Sequence, residues 1–160
     1  MALTTVVFDV GETLVDEAAT YARWEEEGAT SLVFADRDLH ADALPCFAVL
    51  RERGLRLGAA GNMHAHHEEF LRPHVDFVGS SERWDVQKPD PGFFAHVVAA
   101  AGVPPGEIAY VGDRVDNDVL PSLAAGLTAV HVRRGAHAHV EPPAGVPSIR
   151  SLAELPEVLP

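Results

Sequence analysis

Short β-branched apolar runs alternate along this sequence with longer amphipathic or alanine-rich segments. The runs predict five strands, at 4–8, 55–59, 75–78, 108–111 and 128–132. The intervening segments predict helices near 42–53, 64–72, 92–101 and 117–125. Because strand and helix alternate, crossover connections must build a parallel sheet with helices on both faces. We therefore predict an α/β fold, with a three-layer α/β/α arrangement around a Rossmann-like parallel sheet.

The chain is the size of one domain. Its 160 residues, 47% of them hydrophobic, are enough for a single core that needs neither disulfides nor a structural metal. We predict one domain over 1–160, in which the charged and poorly patterned segment at about 17–41 is an insertion after the first strand. The single cysteine, Cys46, lies among apolar residues and is interpreted as a buried core residue, which favours a reducing, cytoplasmic setting.

The charge balance excludes some partners. There are 24 Asp and Glu against 12 Lys and Arg, which gives a formal net charge of -12. Nucleic-acid binding needs a basic surface to neutralise phosphates, so no nucleic-acid partner is expected. No stretch approaches the roughly 18 consecutive apolar residues of a membrane span, so no membrane partner is expected either.

Polar residues follow the predicted strands where a parallel sheet binds its ligands, at the carboxyl edge. Asp9 follows the first strand and Gly61–Asn62 follows the second. Lys88 is the only lysine in the chain. The fourth strand is followed by Asp113 and Asp118, whose carboxylates would face Asp9 across neighbouring strands. Such an oxygen-rich site suits Mg²⁺, although both aspartates could instead only cap the next helix.

The first motif, Phe8-Asp9-Val10-Gly11-Glu12-Thr13-Leu14, resembles that of the haloacid dehalogenase superfamily, whose members are mostly phosphatases with an aspartate nucleophile. The likeness runs from Val6 to about Val132 and includes the lysine and the two late aspartates. It implies that Asp9 attacks phosphorus to form an aspartyl-phosphate, that Lys88 steadies Asp9 and the phosphoryl oxygens during catalysis, and that Thr13 orients the first loop. It also implies a phosphate site at Gly61, Asn62 and Lys88, and Mg²⁺ at Asp9, Gly11, Asp113 and Asp118.

The sequence departs from the superfamily's pattern at three points. Gly11 stands where these phosphatases usually carry a second aspartate as general acid and base, so Glu12, a cap residue or the substrate would have to supply the proton. Gly61 stands where a serine or threonine hydroxyl is usual. The insertion at about 17–41 is far shorter than most caps, so we expect an open site that takes a bulky phosphorylated substrate, is covered by a second subunit, or has lost activity.

Other residues have simpler interpretations. His64, His66 and His67 do not share one helix face, so a solvated helix start is favoured over a zinc site, with His64 near enough to the cleft to touch substrate. Asp116 is interpreted as a solvated helix residue. Aromatic residues of the insertion, such as Trp24, are expected to pack a small lid onto the body.

The function predicted is Mg²⁺-dependent hydrolysis of a phosphate ester on a small or bulky substrate, with an activity that the glycine at position 11 is expected to lower. Two alternatives stay open. One is a non-catalytic phosphate-binding module that keeps the fold and metal site, and the other is a dehalogenase, which needs no second acid. A phosphonate-cleaving enzyme is disfavoured because the insertion contains no lysine to form a Schiff base.

Overall fold

A computed structural model describes residues 2–160. Its strands form one parallel sheet: β1 Thr5–Phe8, β2 Arg56–Gly61, β3 Phe77–Ser80, β4 Ile108–Gly112, β5 Thr128–Val132 and β6 Ser148–Ile149. The helices are α1 Glu17–Glu27, α2 Ala43–Glu52, α3 Glu68–Leu71, α4 Ser81–Trp84, α5 Pro91–Ala101, α6 Leu120–Ala124 and α7 Leu155–Val158. The strand order is β3-β2-β1-β4-β5-β6, and each neighbouring pair is parallel. The predicted α/β class is confirmed.

Strand alternation divides the core between the two faces of the sheet. Val6 and Phe8 of β1 point into one cluster, which includes Phe47 of α2, and Val7 points into the other, which includes Phe93 of α5. Consecutive side chains of the strand therefore point to opposite faces of the sheet, as the two-residue repeat of a β-strand requires. The sheet is therefore the middle of the three predicted layers.

The predicted elements differ from the structure mainly at their ends. All five predicted strands are present within two residues at each end, but the sixth, β6, was not predicted. The predicted helix at 64–72 is a 3₁₀ turn, Ala65–His67, followed by α3. The predicted helix at 117–125 begins as a π turn, Val115–Val119, and continues as α6. Ser151 and Glu154 form a capping box at the start of the final helical segment.

The segment at about 17–41 contains α1 and a 3₁₀ turn, Asp36–Asp38. Arg23 and Asp38 form an ion pair within it, while Trp24 and Phe34 are buried in the main core cluster with rings stacked 5.3 Å apart. These contacts fix the segment on the body beside the carboxyl edge of the sheet. Within residues 2–160, no helix has the length and apolar character needed to cross a membrane.

Candidate active site

Asp9 lies immediately after β1, at the carboxyl edge of the sheet. Its backbone N–H donates to the carbonyl oxygen of Val111 over 2.8 Å, which continues the pairing of β1 with β4 beyond the end of the strand. Asp9 is only 6% exposed. Because β1 lies between β2 and β4, the loops after all three strands converge on this carboxylate. Its backbone is therefore fixed before any ligand binds.

Lys88 joins Asp9 to a second aspartate. Its Nζ lies 2.6 Å from Oδ1 of Asp9 and 2.6 Å from Oδ1 of Asp118, and the side chain is buried. The ammonium also lies 5.6 Å from the ring centroids of Phe93 and Tyr110. Burial alone would lower the pKa of Lys88, but the carboxylates of Asp118 and Asp9 raise it well above its usual value. Lys88 is therefore a fixed positive charge in the site.

Asn62 holds the backbone of the loop that carries this lysine. Its side-chain oxygen accepts from the N–H of Lys88 over 2.8 Å, and its side-chain nitrogen donates to the carbonyl of Lys88 over 3.1 Å. The oxygen and the nitrogen of the Asn62 side chain therefore both bond to the backbone of Lys88. The predicted contact of the Asn62 side chain with phosphate stays a prediction, and the bonding in the structure gives Asn62 a second role in positioning Lys88.

Asp113 and Asp118 complete the carboxylate cluster. One carboxylate oxygen from each of Asp9, Asp113 and Asp118 lies within 4.8 Å of the others, and all three residues are buried. The Thr13 hydroxyl lies 3.0 Å from Oδ2 of Asp9 and 3.3 Å from Oδ1 of Asp113, so its proton can be donated to either. Burial and the nearby Asp9 carboxylate raise the pKa of Asp113 to about 9. The cluster thus holds three carboxyl groups, of which Asp9 and Asp118 share the Lys88 ammonium.

This donor set fits Mg²⁺. Carboxylate oxygens are the protein ligands that Mg²⁺ prefers, and a divalent cation would neutralise the charge that Lys88 leaves uncompensated. The predicted fourth ligand, the Gly11 carbonyl oxygen, accepts a hydrogen bond from the Thr13 N–H over 2.7 Å. That oxygen keeps a second lone pair, so ligation by Gly11 stays a prediction.

Two glycines allow the loops to approach each other closely. A Cβ on Gly61 would lie 3.1 Å from Oδ1 of Asp9, so the β2 end packs directly against the candidate nucleophile. A Cβ on Gly112 would overlap Cβ and Cγ of Asp118. Gly112 was not singled out from the sequence, because a single glycine before a loop indicates a turn but not which side chain occupies the space beside it.

His131 is a further residue that the sequence reasoning missed. It is fully buried in β5, and its Nε2 lies 3.0 Å from the carbonyl oxygen of Asp113. The carbonyl must accept, so Nε2 carries the proton, and burial lowers the pKa of His131. His131 therefore supports the Asp113 loop from below. Its position in the apolar run Thr128–Val132 was the available signal.

A cavity of about 1090 Å³ opens beside the carboxylate cluster. Its floor includes Gly11 and Asn62, and the insertion forms one wall through Tyr21, Trp24 and Phe34. Trp24 and Phe34 are mostly buried, as expected for residues that pack a lid onto the body, whereas Tyr21 is 47% exposed. The insertion thus contributes residues to the site as well as covering part of the core.

The space beside Gly11 is occupied by Glu17, the first residue of α1. A Cβ built on Gly11 would overlap Oε1 of Glu17 and lie 2.9 Å from its Cδ. Burial, followed by the carboxylates of Glu12 and Asp9, raises the pKa of Glu17. Glu12, which the sequence offered as a substitute acid, instead accepts hydrogen bonds at Oε1 from the N–H of Glu17 (2.6 Å) and of Ala18 (3.3 Å). Glu12 therefore caps α1, and its role as the acid is not supported.

The three histidines line the cavity, where His64 and His66 are exposed and His67 is buried. The His64 and His66 rings stack with centroids 5.6 Å apart, and those of His66 and His67 are 4.1 Å apart. Burial, with His66 and His64 nearby, lowers the pKa of His67 to about 4. Within residues 2–160, the metal-binding geometry is met only by the aspartate cluster. The histidines are therefore wall residues of the cavity.

Comparison with known proteins identifies the family. Residues 86–155 match a family model described as HAD-hydrolase-like, a segment that includes Lys88, Asp113 and Asp118. The chain is 36% identical over 115 residues to a glyceraldehyde 3-phosphate phosphatase of Methanopyrus kandleri, which covers 68% of this chain and 49% of that protein. The chain belongs to the haloacid dehalogenase (HAD) superfamily. The resemblance noted in the sequence is confirmed.

Other HAD proteins agree with this assignment. The chain is 35% identical over 126 residues to a phosphoserine phosphatase of Thermus thermophilus, covering 75% of this chain and 49% of that protein. A HAD hydrolase from Bacillus subtilis, solved bound to magnesium, has the same fold with a TM-score of 0.75, 20% identity and 99% of each chain covered. The chain spans about half the length of the curated relatives that it matches.

Proposed function

We propose that this HAD protein hydrolyses a phosphate ester with Mg²⁺, through an aspartyl-phosphate on Asp9. The observation that carries the proposal is the fixed Asp9 carboxylate, held 2.6 Å from the Lys88 ammonium within a cluster of three buried aspartates beside a cavity. The phosphatase names of the relatives support the same reaction class.

Each residue would act through its position. The Asp9 oxygen not bonded to Lys88, Oδ2, attacks phosphorus, and the bond from phosphorus to the ester oxygen breaks. Lys88 neutralises charge on Asp9 and on the phosphoryl group, while backbone N–H groups after Gly61 bind the phosphoryl oxygens. Thr13, which bonds Oδ2 of Asp9, orients the carboxylate. Mg²⁺, held by Asp9, Asp113 and Asp118, would supply the remaining neutralisation of the phosphoryl charge.

The cavity favours a substrate larger than a simple phosphate ester. Its volume of about 1090 Å³ slightly exceeds the roughly 300–1,000 Å³ usual for small-molecule sites. Aromatic and histidine side chains are among the residues that line it. We infer that a phosphorylated compound with a sizeable, partly apolar group fits this space, and that a second subunit covering the open side would be the alternative.

The decisive assay is the hydrolysis of para-nitrophenyl phosphate, whose leaving group departs without protonation. We expect hydrolysis that requires Mg²⁺, is abolished in Asp9→Asn, and is retained in Asp116→Asn. Asp116 is a matched control because it lies between Asp113 and Asp118 in the chain, is 64% exposed at its side chain and, among residues 2–160, forms an ion pair only with Arg114. Mass spectrometry of acid-quenched protein should show one phosphoryl group on Asp9.

The alternatives give different outcomes in the same experiment. Inorganic phosphate that binds in a calorimeter without any turnover of the aryl ester would indicate a non-catalytic binding module. Release of halide from a 2-haloacid, dependent on Asp9 and independent of Mg²⁺, would indicate a dehalogenase. Equal aryl-ester hydrolysis in the wild type and Asp9→Asn would refute the proposed role of Asp9.

A further inference from the structure

The HAD site of this chain lacks the second aspartate at position 11, but a carboxylate lies in the same space. Glu17 Oε1 occupies the volume that a Cβ on Gly11 would fill. The two residues are six positions apart and belong to different elements, the first loop and α1. An aspartate at position 11 would place its carboxyl within about two bond lengths of its own Cβ. The Glu17 carboxyl therefore lies close to where that acid would be.

Two contacts hold Glu17 there. Glu12 Oε1 accepts from the backbone N–H of Glu17 over 2.6 Å, which attaches the start of α1 to the first loop. Asp16 caps the same helix by accepting from the N–H of Ala19 over 3.1 Å. The base of α1 is thus fixed by residues of the loop that carries Asp9. Glu17 is half-buried and lines the cavity together with Gly11, so its carboxyl can reach a bound ligand.

We propose that Glu17 is the general acid and base of this enzyme, in place of the side chain that Gly11 lacks. This inference rests on the proposed phosphatase function. In the first step Oδ2 of Asp9 bonds to phosphorus, the bond to the ester oxygen breaks, and the Glu17 carboxyl gives its proton to that oxygen. In the second step the Glu17 carboxylate takes a proton from water as its oxygen attacks phosphorus, which releases phosphate and restores Asp9.

The position of the Glu17 side chain then explains why residue 11 is a glycine. Gly11 does not have a positive φ, so its backbone would accept other residues. Only the Glu17 side chain opposes a Cβ there, and its end is flexible enough to move aside. Position 11 and position 17 are therefore alternative places for one carboxyl group. In Gly11→Asp, the new side chain should push the Glu17 side chain aside, and its carboxyl group should take over the role of Glu17.

The test compares Glu17→Gln with the wild type on two esters in Mg²⁺. On glycerol 3-phosphate, whose alkoxide needs a proton to leave, kcat/KM should fall at least about 100-fold. On para-nitrophenyl phosphate, kcat/KM should change less than about threefold, because that leaving group needs no acid. Its kcat should nevertheless fall, with a burst of one nitrophenolate per protein, because water attack on the aspartyl-phosphate still needs the base. Glu26→Gln, on the same helix and exposed, should match the wild type.

A rescue variant separates chemistry from folding. Gly11→Asp combined with Glu17→Gln should recover at least about tenfold of the lost kcat/KM on glycerol 3-phosphate. An equal loss on both esters, unchanged kinetics, or the lack of both burst and rescue would overturn the role of Glu17. So would a wild type that hydrolyses only the aryl ester. A wild type inactive on both esters, or active without Asp9, would instead refute the proposed function itself and the Glu17 role with it.

Discussion

Replacing Lys88 with methionine should destabilise the protein strongly when no metal is present. The ammonium is the shared partner of Asp9 and Asp118, each at 2.6 Å, and the side chain is only 4% exposed. At an effective dielectric constant of about 20, each pair contributes a gross attraction of about 6 kcal/mol. Desolvation of the three groups offsets most of this. Loss of one partner from a buried ion pair costs about 3–5 kcal/mol, because the other charge remains buried and unpaired.

Methionine is close to lysine in length and apolar in its stem, so Lys88→Met adds little cavity or packing cost. We therefore expect the free energy of unfolding to fall by about 4 kcal/mol, out of the roughly 5–15 kcal/mol typical of a domain. With a urea m-value of about 2 kcal/mol/M, the midpoint should decrease by about 2 M. The measurement is urea unfolding followed by circular dichroism, with EDTA present so that no divalent cation replaces the ammonium.

A double-mutant cycle provides the control. Asp118→Asn removes one of the two carboxylates, so Lys88→Met should cost less in that background, with a coupling energy of at least about 1 kcal/mol. A midpoint for Lys88→Met within about 0.5 M of the wild type, at unchanged m-value, would mean that the aspartates do not depend on the ammonium. The electrostatic account of the site would then be wrong.

Three further predictions follow from the same structure. Gly112→Ala should lower both stability and phosphatase activity, by about 2 kcal/mol and at least tenfold, because its Cβ would overlap Asp118; urea unfolding and the aryl-ester assay check this. Mg²⁺ should raise the melting temperature of the wild type but not that of Asp113→Asn, as measured by scanning calorimetry with and without EDTA. Burial alone would raise the pKa of Glu68, but hydrogen bonds from Arg83 and Ser80 lower it. The ionised Glu68 therefore stabilises the fold at neutral pH, and this stabilisation is lost as the pH falls through the pKa of Glu68 in the folded state. Glu68→Gln should therefore be about 2 kcal/mol less stable at pH 7, and this gap should narrow as the solution is acidified; a gap of constant size from neutral pH down to acid would contradict this.

The carboxyl edge of the sheet could be predicted because strand periodicity is a local property. Runs such as those at 4–8 and 108–111 carry their own signal, and the rule that ligands bind after parallel strands then points to Asp9 and Asp113. The meeting of Lys88 with Asp9 came from family resemblance, since the lysine follows no strand directly. The structure provides the distances that make it a shared ion partner.

The sequence could not predict contacts between residues of different elements, because no local pattern indicates which side chains meet. Glu17 was one acid among several in a charged insertion, and only the path of α1 places it beside Gly11. His131 contacts a backbone carbonyl, which has no sequence signature. β6 has only two residues, and so short a strand forms because β5 presents a free edge to Ser148 and Ile149 rather than because of its own propensity.

The single lysine side chain also makes the site open to direct observation. Reagents that modify amines can react with only one side chain in this protein, the buried ammonium of Lys88. Reductive methylation or acylation of that amine requires the site to open and the ion pairs to separate. The rate of labelling therefore measures the free energy of opening at Asp9, the candidate nucleophile, without a spectroscopic probe, and a ligand that closes the site should slow it in proportion to its occupancy.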